Sequence, residues 1–108
     1  MKKYYALGNY SKESFGGFVQ NPDQDRKAVA EKLMSSIGSK LLSFDFLRGE
    51  YDFIASAEAN SFEEIAGLKM ALQATGAGNL IILESINMNE IAKNAAKAVG
   101  SYSPPAKT

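Results

Sequence analysis

The sequence predicts an α+β domain: a β-α-β-β-α-β series closed by a further C-terminal helix, with the four strands in one antiparallel sheet. Three observations predict it. Four strand-sized segments are rich in apolar and aromatic residues. Two intervening segments repeat apolar residues at helical spacing behind capping residues. A turn signal, Arg48-Gly49-Glu50, joins the middle two strand segments with no room for a helix.

Residues 3 to 10 hold three tyrosines and stop at Asn9, Ser11 and Lys12, which makes them the first strand. Residues 11 to 20 carry Gly16-Gly17 between Phe15 and Phe18 and are expected to form a loop or broken helical turn. Asn21-Pro22 is expected to open the first long helix, with Asn as cap, Pro at the first helical position, and Asp23 and Asp25 in the turn the dipole favours. Ala28, Val29, Leu33, Met34 and Ile37 are its apolar stripe, and Gly38 ends it. Residues 39 to 47 and 51 to 59 are the second and third strands. Ser61 with Glu64 forms a capping box for a helix striped by Ile65, Leu68, Ala71 and Leu72 and broken at Gly76-Ala77-Gly78-Asn79. Residues 80 to 86 are the fourth strand. Asn87 and Glu90 cap an Ala-rich helix that ends at Gly100. One domain over 1–100 and an extended tail over 101–108, with Pro104-Pro105, complete the chain.

Two βαβ crossovers joined by a hairpin give the ferredoxin-like arrangement, with both crossover helices on one sheet face. Hairpin register decides what each face carries. Pairing Leu47 with Asp52, Asp45 with Ile54, Ser43 with Ser56 and Leu41 with Glu58 gathers Leu42, Phe44, Phe46, Phe53, Ala55 and Ala57 under the helices. On the fourth strand Ile81 and Leu83 are assigned to the helix face, leaving Leu80, Ile82, Glu84 and Ile86 on the other. That other face mixes aliphatic and acidic residues. Burying its aliphatic part against a second copy predicts a homodimer built sheet to sheet.

Composition excludes much chemistry. The 108 residues contain no His, Cys or Trp. Disulfides, thiolate nucleophiles, Cys-bound clusters, His-based triads and His-ligated haem are therefore absent from the repertoire. Twelve Lys+Arg balance 12 Asp+Glu, so nothing steers the chain toward nucleic acid or an anionic membrane. No apolar run is long enough for a secretory signal or a membrane span, and a cytoplasmic location is expected. No cofactor or metal is expected.

The segment Leu47-Arg48-Gly49-Glu50-Tyr51-Asp52-Phe53-Ile54 resembles the motif that names the GYD domain family. The likeness extends along the chain. Residues 4 to 11, with Leu7, Asn9 and Tyr10, are similar to the family's first strand. Pro22 followed by Arg26, Ala28 and Leu33 resembles its first helix, and residues 38 to 46 its second strand. Glu58-Ala59 and Tyr102-Ser103-Pro104-Pro105 are similar to further family segments. Two departures stand out. Gly78-Asn79-Leu80-Ile81 lacks the Arg common before the fourth strand, which removes the basis for carrying an anion-binding role there. Asn60-Ser61 replaces a Pro-Asp. The resemblance implies membership of the dimeric α/β-barrel superfamily, in which ferredoxin-like protomers pack sheet on sheet. That superfamily includes cofactor-independent monooxygenases, isomerases, haem-binding proteins and ligand-sensing domains. Fold alone does not choose among them.

The family-motif residues are Gly49, Tyr51 and Asp52. Tyr51 and Asp52 are a candidate ligand-binding or proton-transfer pair. The local alternative is a turn made by Gly49, with Asp52 bonding nearby backbone. Tyr10, Asp45, Asp52 and Glu84 are the candidate ligand-binding residues. Asp45 and Glu84, among aliphatic neighbours, are also candidates for a carboxyl of raised pKa, against the alternative of rim ion pairs. Tyr4, Tyr5 and Tyr10 are a further candidate lining for a pocket between sheet and helices, although strand aromatics mostly serve packing. The leading expectation is a homo-oligomeric module for ligand binding or assembly, without catalysis. The first alternative is a cofactor-independent monooxygenase or isomerase with Asp52 or Glu84 as base and Tyr10 or Tyr51 orienting the substrate. The second is a metabolite-sensing regulatory domain.

Overall fold

The computed structural model describes residues 1–107. It holds β1 (Lys2–Tyr10), α1 (Lys12–Gln20), α2 (Arg26–Ser36), β2 (Lys40–Phe46), β3 (Phe53–Ala59), α3 (Phe62–Ala74), β4 (Gly78–Glu84) and α4 (Met88–Ser101). The four strands form one sheet in the order β2-β3-β1-β4, with every neighbouring pair antiparallel. This is the ferredoxin-like α+β fold that the order of elements predicts.

Residues 12–20 form a helix, where a loop or broken turn was expected. Ser11 caps it, its hydroxyl accepting the Ser14 N–H at 3.1 Å. The helix also sets Phe15 and Phe18 against Tyr10, with ring centroids 6.1 and 5.1 Å away. These contacts outweigh the low helix propensity of Gly16 and Gly17. The next helix opens later than expected. Asn21 ends α1, 22–23 form a turn, and Asp25 caps α2 by accepting the Ala28 N–H at 3.0 Å. The other caps fall where expected: Ser61 accepts from Glu64 N–H at 3.3 Å, and Asn87 accepts from Glu90 N–H at 3.1 Å. Gly38 and Gly76 follow α2 and α3 with φ of 75° and 76°, the left-handed conformation that lets a helix end.

The β2–β3 hairpin keeps the expected register near its turn: Asp45 faces Ile54, and Ser43 faces Ser56. A bulge between Leu41 and Ser43 then shifts the rest. Leu41 pairs with Ala57 instead of Glu58, turns under the helices and packs against the core. The extra residue of a bulge reverses the facing of everything beyond it. On β4 the expected faces are reversed as well. Leu80 is 6% exposed, and Ile82 packs against the core, whereas Ile81 and Leu83 are 40% and 49% exposed on the other face. Pairing sets this phase, because Leu80 lies opposite Gly8, Ile82 opposite Ala6 and Glu84 opposite Tyr4. The open face therefore carries Tyr5, Leu7, Ile54, Ile81 and Leu83, around the hydrogen-bonded hydroxyls of Ser43 and Ser56.

The core lies between the sheet and α2/α3, around Tyr4, Met34, Ala57, Ala59, Ile65 and Leu68. Beyond it α4 projects into solvent with all its residues exposed. The principal extents are 66 × 29 × 24 Å and the radius of gyration is 18.8 Å, against about 13 Å for a compact chain of similar length. Met88, Ile91, Ala95 and Val99 recur along α4 at helical spacing and make one apolar stripe. After Ser101 the chain forms a short 3-10 turn at Pro105–Lys107, so the tail is not extended throughout. The expected tail also includes Thr108, which lies outside the described residues.

Candidate functional site

Small residues on the sheet open space beneath the helices. Ala6, Ala55 and Ala57 stand where larger side chains would fill the layer, and the result is a cavity of about 250 Å³ between the sheet and α2/α3. Its walls are overwhelmingly apolar, with Leu33, Leu41 and Leu80 among them. An apolar cavity of about 150 Å³ already accommodates benzene, so the space here suits a larger organic molecule.

Polar groups reach the cavity at few points. Tyr10, the last residue of β1, is clasped by Phe18 and by Phe53, whose ring centroid lies 5.0 Å away. Its backbone N–H donates to Asp52 Oδ2 at 2.8 Å. Arg26 opens α2 and lines the same end of the cavity, its Nη1 donating to Gln24 Oε1 at 3.2 Å. Burial pushes the Tyr10 hydroxyl above its ordinary pKa of 10.0. The hydrogen-bonding Arg26 guanidinium pulls it back, and the nearby Asp52 carboxylate pushes it slightly up. At neutral pH the site therefore presents a neutral phenol beside a guanidinium. At the other end Tyr4 is 1% exposed, and its hydroxyl has no hydrogen-bond partner among the described residues.

The carboxylates expected at a site lie elsewhere. The Asp52 carboxylate takes the Tyr10 N–H, while its main-chain N–H donates to Gly8 O and its C=O accepts from Leu47 N–H, both at 2.8 Å. Asp52 thus ties the hairpin turn to the end of β1. Gly49 holds that turn with φ 143°. Tyr51 is partly buried beside it and does not line the cavity. Asp45 is exposed on the open face. Glu84 pairs with Lys2 at 3.6 Å on the sheet edge. Of the three candidate tyrosines, Tyr4 and Tyr10 line the cavity and Tyr5 turns to the open face.

Arg26 is the functional candidate that pattern reading passed over. Its signal is local: a cation at the first position of a helix sits where the dipole disfavours it. That signal becomes legible only once Asp25, and not Asn21, is taken as the cap.

The GYD domain family model matches residues 4–95. The chain belongs to the GYD domain family. In this GYD protein the matched region holds the sheet except for Lys2 and Lys3, both crossover helices and every cavity residue named above. No significant match was found among curated proteins or solved structures. Among the described residues no group of three or more Asp or Glu side chains is placed to hold a metal ion, and no helix is long and apolar enough to cross a membrane.

Proposed function

We propose that this GYD protein is a homo-oligomeric small-molecule-binding module whose ligand occupies the sheet–helix cavity. The observation that carries the reading is the cavity itself: about 250 Å³ of largely apolar space, with polar contact confined to a few side chains. That combination is how small-molecule sites obtain both burial and orientation. A carboxylate-based monooxygenase or isomerase draws no support from it, since Asp45, Asp52 and Glu84 do not line the cavity. A sensing role would use the same space.

Oligomerisation is supported by the open sheet face. Tyr5, Leu7, Ile54, Ile81 and Leu83 cluster there beyond what a solvated sheet needs. The apolar stripe of α4 adds a second unpartnered surface in the same chain. Light scattering at micromolar concentration should give at least twice the 11.7 kDa chain mass, and a monomer would overturn the assembly.

A thermal-shift screen of small metabolites against wild type and Ala55→Leu tests the binding site. A ligand at a hundred times its Kd stabilises by about 2.7 kcal/mol. Shifts seen in wild type should vanish in the filled variant. Shifts of equal size in both would place binding outside the cavity.

A further inference from the structure

We propose that the ligand is an amphiphilic carboxylic acid, its aliphatic chain lying along β1 and its carboxylate held by Arg26 and the Tyr10 hydroxyl. This rests on reading the cavity as a binding site and names the chemistry it selects.

Shape argues for a chain. Tyr4 and Tyr10 both line the cavity from the two ends of β1; at the rise of an extended strand they lie about 20 Å apart. The apolar walls of this space, with Leu33, Leu41 and Leu80 among them, suit an aliphatic body. The small floor residues Ala6 and Ala55 leave depth along the strand. An aliphatic chain laid along that run covers these walls with apolar surface.

Charge argues for an acid. Arg26 lines the cavity, and among the described residues no carboxylate forms an ion pair with it. Its hydrogen-bond partners, the Gln24 amide and the Tyr10 hydroxyl, are both neutral. A half-buried guanidinium is a planar fork that pairs with carboxylate through two parallel hydrogen bonds. The neutral Tyr10 phenol beside it is a third donor. Of the carboxylates nearby, Asp52 already accepts the Tyr10 main-chain N–H, and Asp25 already caps α2 through the Ala28 N–H. A cationic ligand would face Arg26 directly.

Isothermal titration of the full chain with decanoate, decanol and decylamine tests the proposal. Decanoate should bind at least tenfold more tightly than decanol, and decylamine should show no binding. Arg26→Met should abolish the tenfold preference. If decanol equals decanoate, or Arg26→Met leaves decanoate untouched, the acid assignment is overturned. The cavity reading then still stands if Ala55→Leu blocks both probes. If no chain probe binds, the proposal is overturned, and the metabolite screen decides the cavity reading separately.

Discussion

Gly8→Ala should destabilise this protein by an amount the structure lets one work out. Gly8 is buried at the point where β1 passes under Phe53, its direct partner on β3. A Cβ added at Gly8 would fall on the Phe53 ring, 2.7 Å from Cε2 and nearer still to Cζ and Cε1. The ring has little freedom to move. It stacks on Phe44 at 5.3 Å with a 17° interplanar angle and lies 5.0 Å from Tyr10. Overpacking of this kind costs about 1–3 kcal/mol. Disturbing two aromatic pairs forfeits part of about 0.5–1.5 kcal/mol each. Reduced backbone freedom in the unfolded chain returns about 0.5–1 kcal/mol. The net is a loss of roughly 2 kcal/mol, or a fall in Tm of about 10 °C for a domain of this size. Thermal unfolding followed by circular dichroism at fixed protein concentration measures it. The decisive comparison is the same substitution in a Phe53→Leu background, where the obstructing ring is gone. There Gly8→Ala should be close to neutral, giving a coupling of about 2 kcal/mol. Equal losses in both backgrounds, or a higher Tm for Gly8→Ala alone, would refute the reasoning.

Three further outcomes are expected. Asp52→Ala leaves the Tyr10 N–H without its 2.8 Å acceptor and should lower stability by about 1–2 kcal/mol in urea denaturation; Asp52→Asn retains an acceptor oxygen and should lose clearly less, so equal losses would contradict the hydrogen-bond account. Glycine substitutions should divide by surroundings: Gly16→Ala and Gly17→Ala, with open space around the added Cβ, should each stabilise α1 by about 0.5–1 kcal/mol, while Gly78→Ala drives its methyl into the Asn9 carbonyl and should lower the urea midpoint. The Tyr10 hydroxyl, raised above 10.0 chiefly by burial, stays neutral in the folded state where the unfolded chain ionises. Its contribution is therefore complete below about pH 10 and is lost as pH climbs through the raised folded value. Ultraviolet difference titration of wild type against Tyr10→Phe should show one late-titrating tyrosine, later again in Arg26→Met, and a Tyr10 that ionises early would contradict the site electrostatics.

What the sequence determined by itself was whatever local chemistry encodes. The Ser61 and Asn87 caps, the helix-ending Gly38 and Gly76, the Gly49 turn and the order of strands were all legible, because capping and turn geometry depend on a few neighbouring residues. The motif around Gly49, Tyr51 and Asp52 was legible too. Tertiary contacts decided the rest. Residues 12–20 became helical because Phe15 and Phe18 gain a partner in Tyr10. The facing of Leu80-Ile81-Ile82-Leu83 has no internal signal, since four aliphatic residues in a row carry no alternation. Their phase comes from pairing with β1, which begins at Gly78, where the missing Cβ admits the Asn9 carbonyl. Leu41 turned inward because a bulge, which depends on both strands, intervened. The cavity is the fullest case: Ala6, Tyr10, Arg26, Ala55 and Leu80 are scattered along the chain, and only folding makes their small volumes and single guanidinium one site.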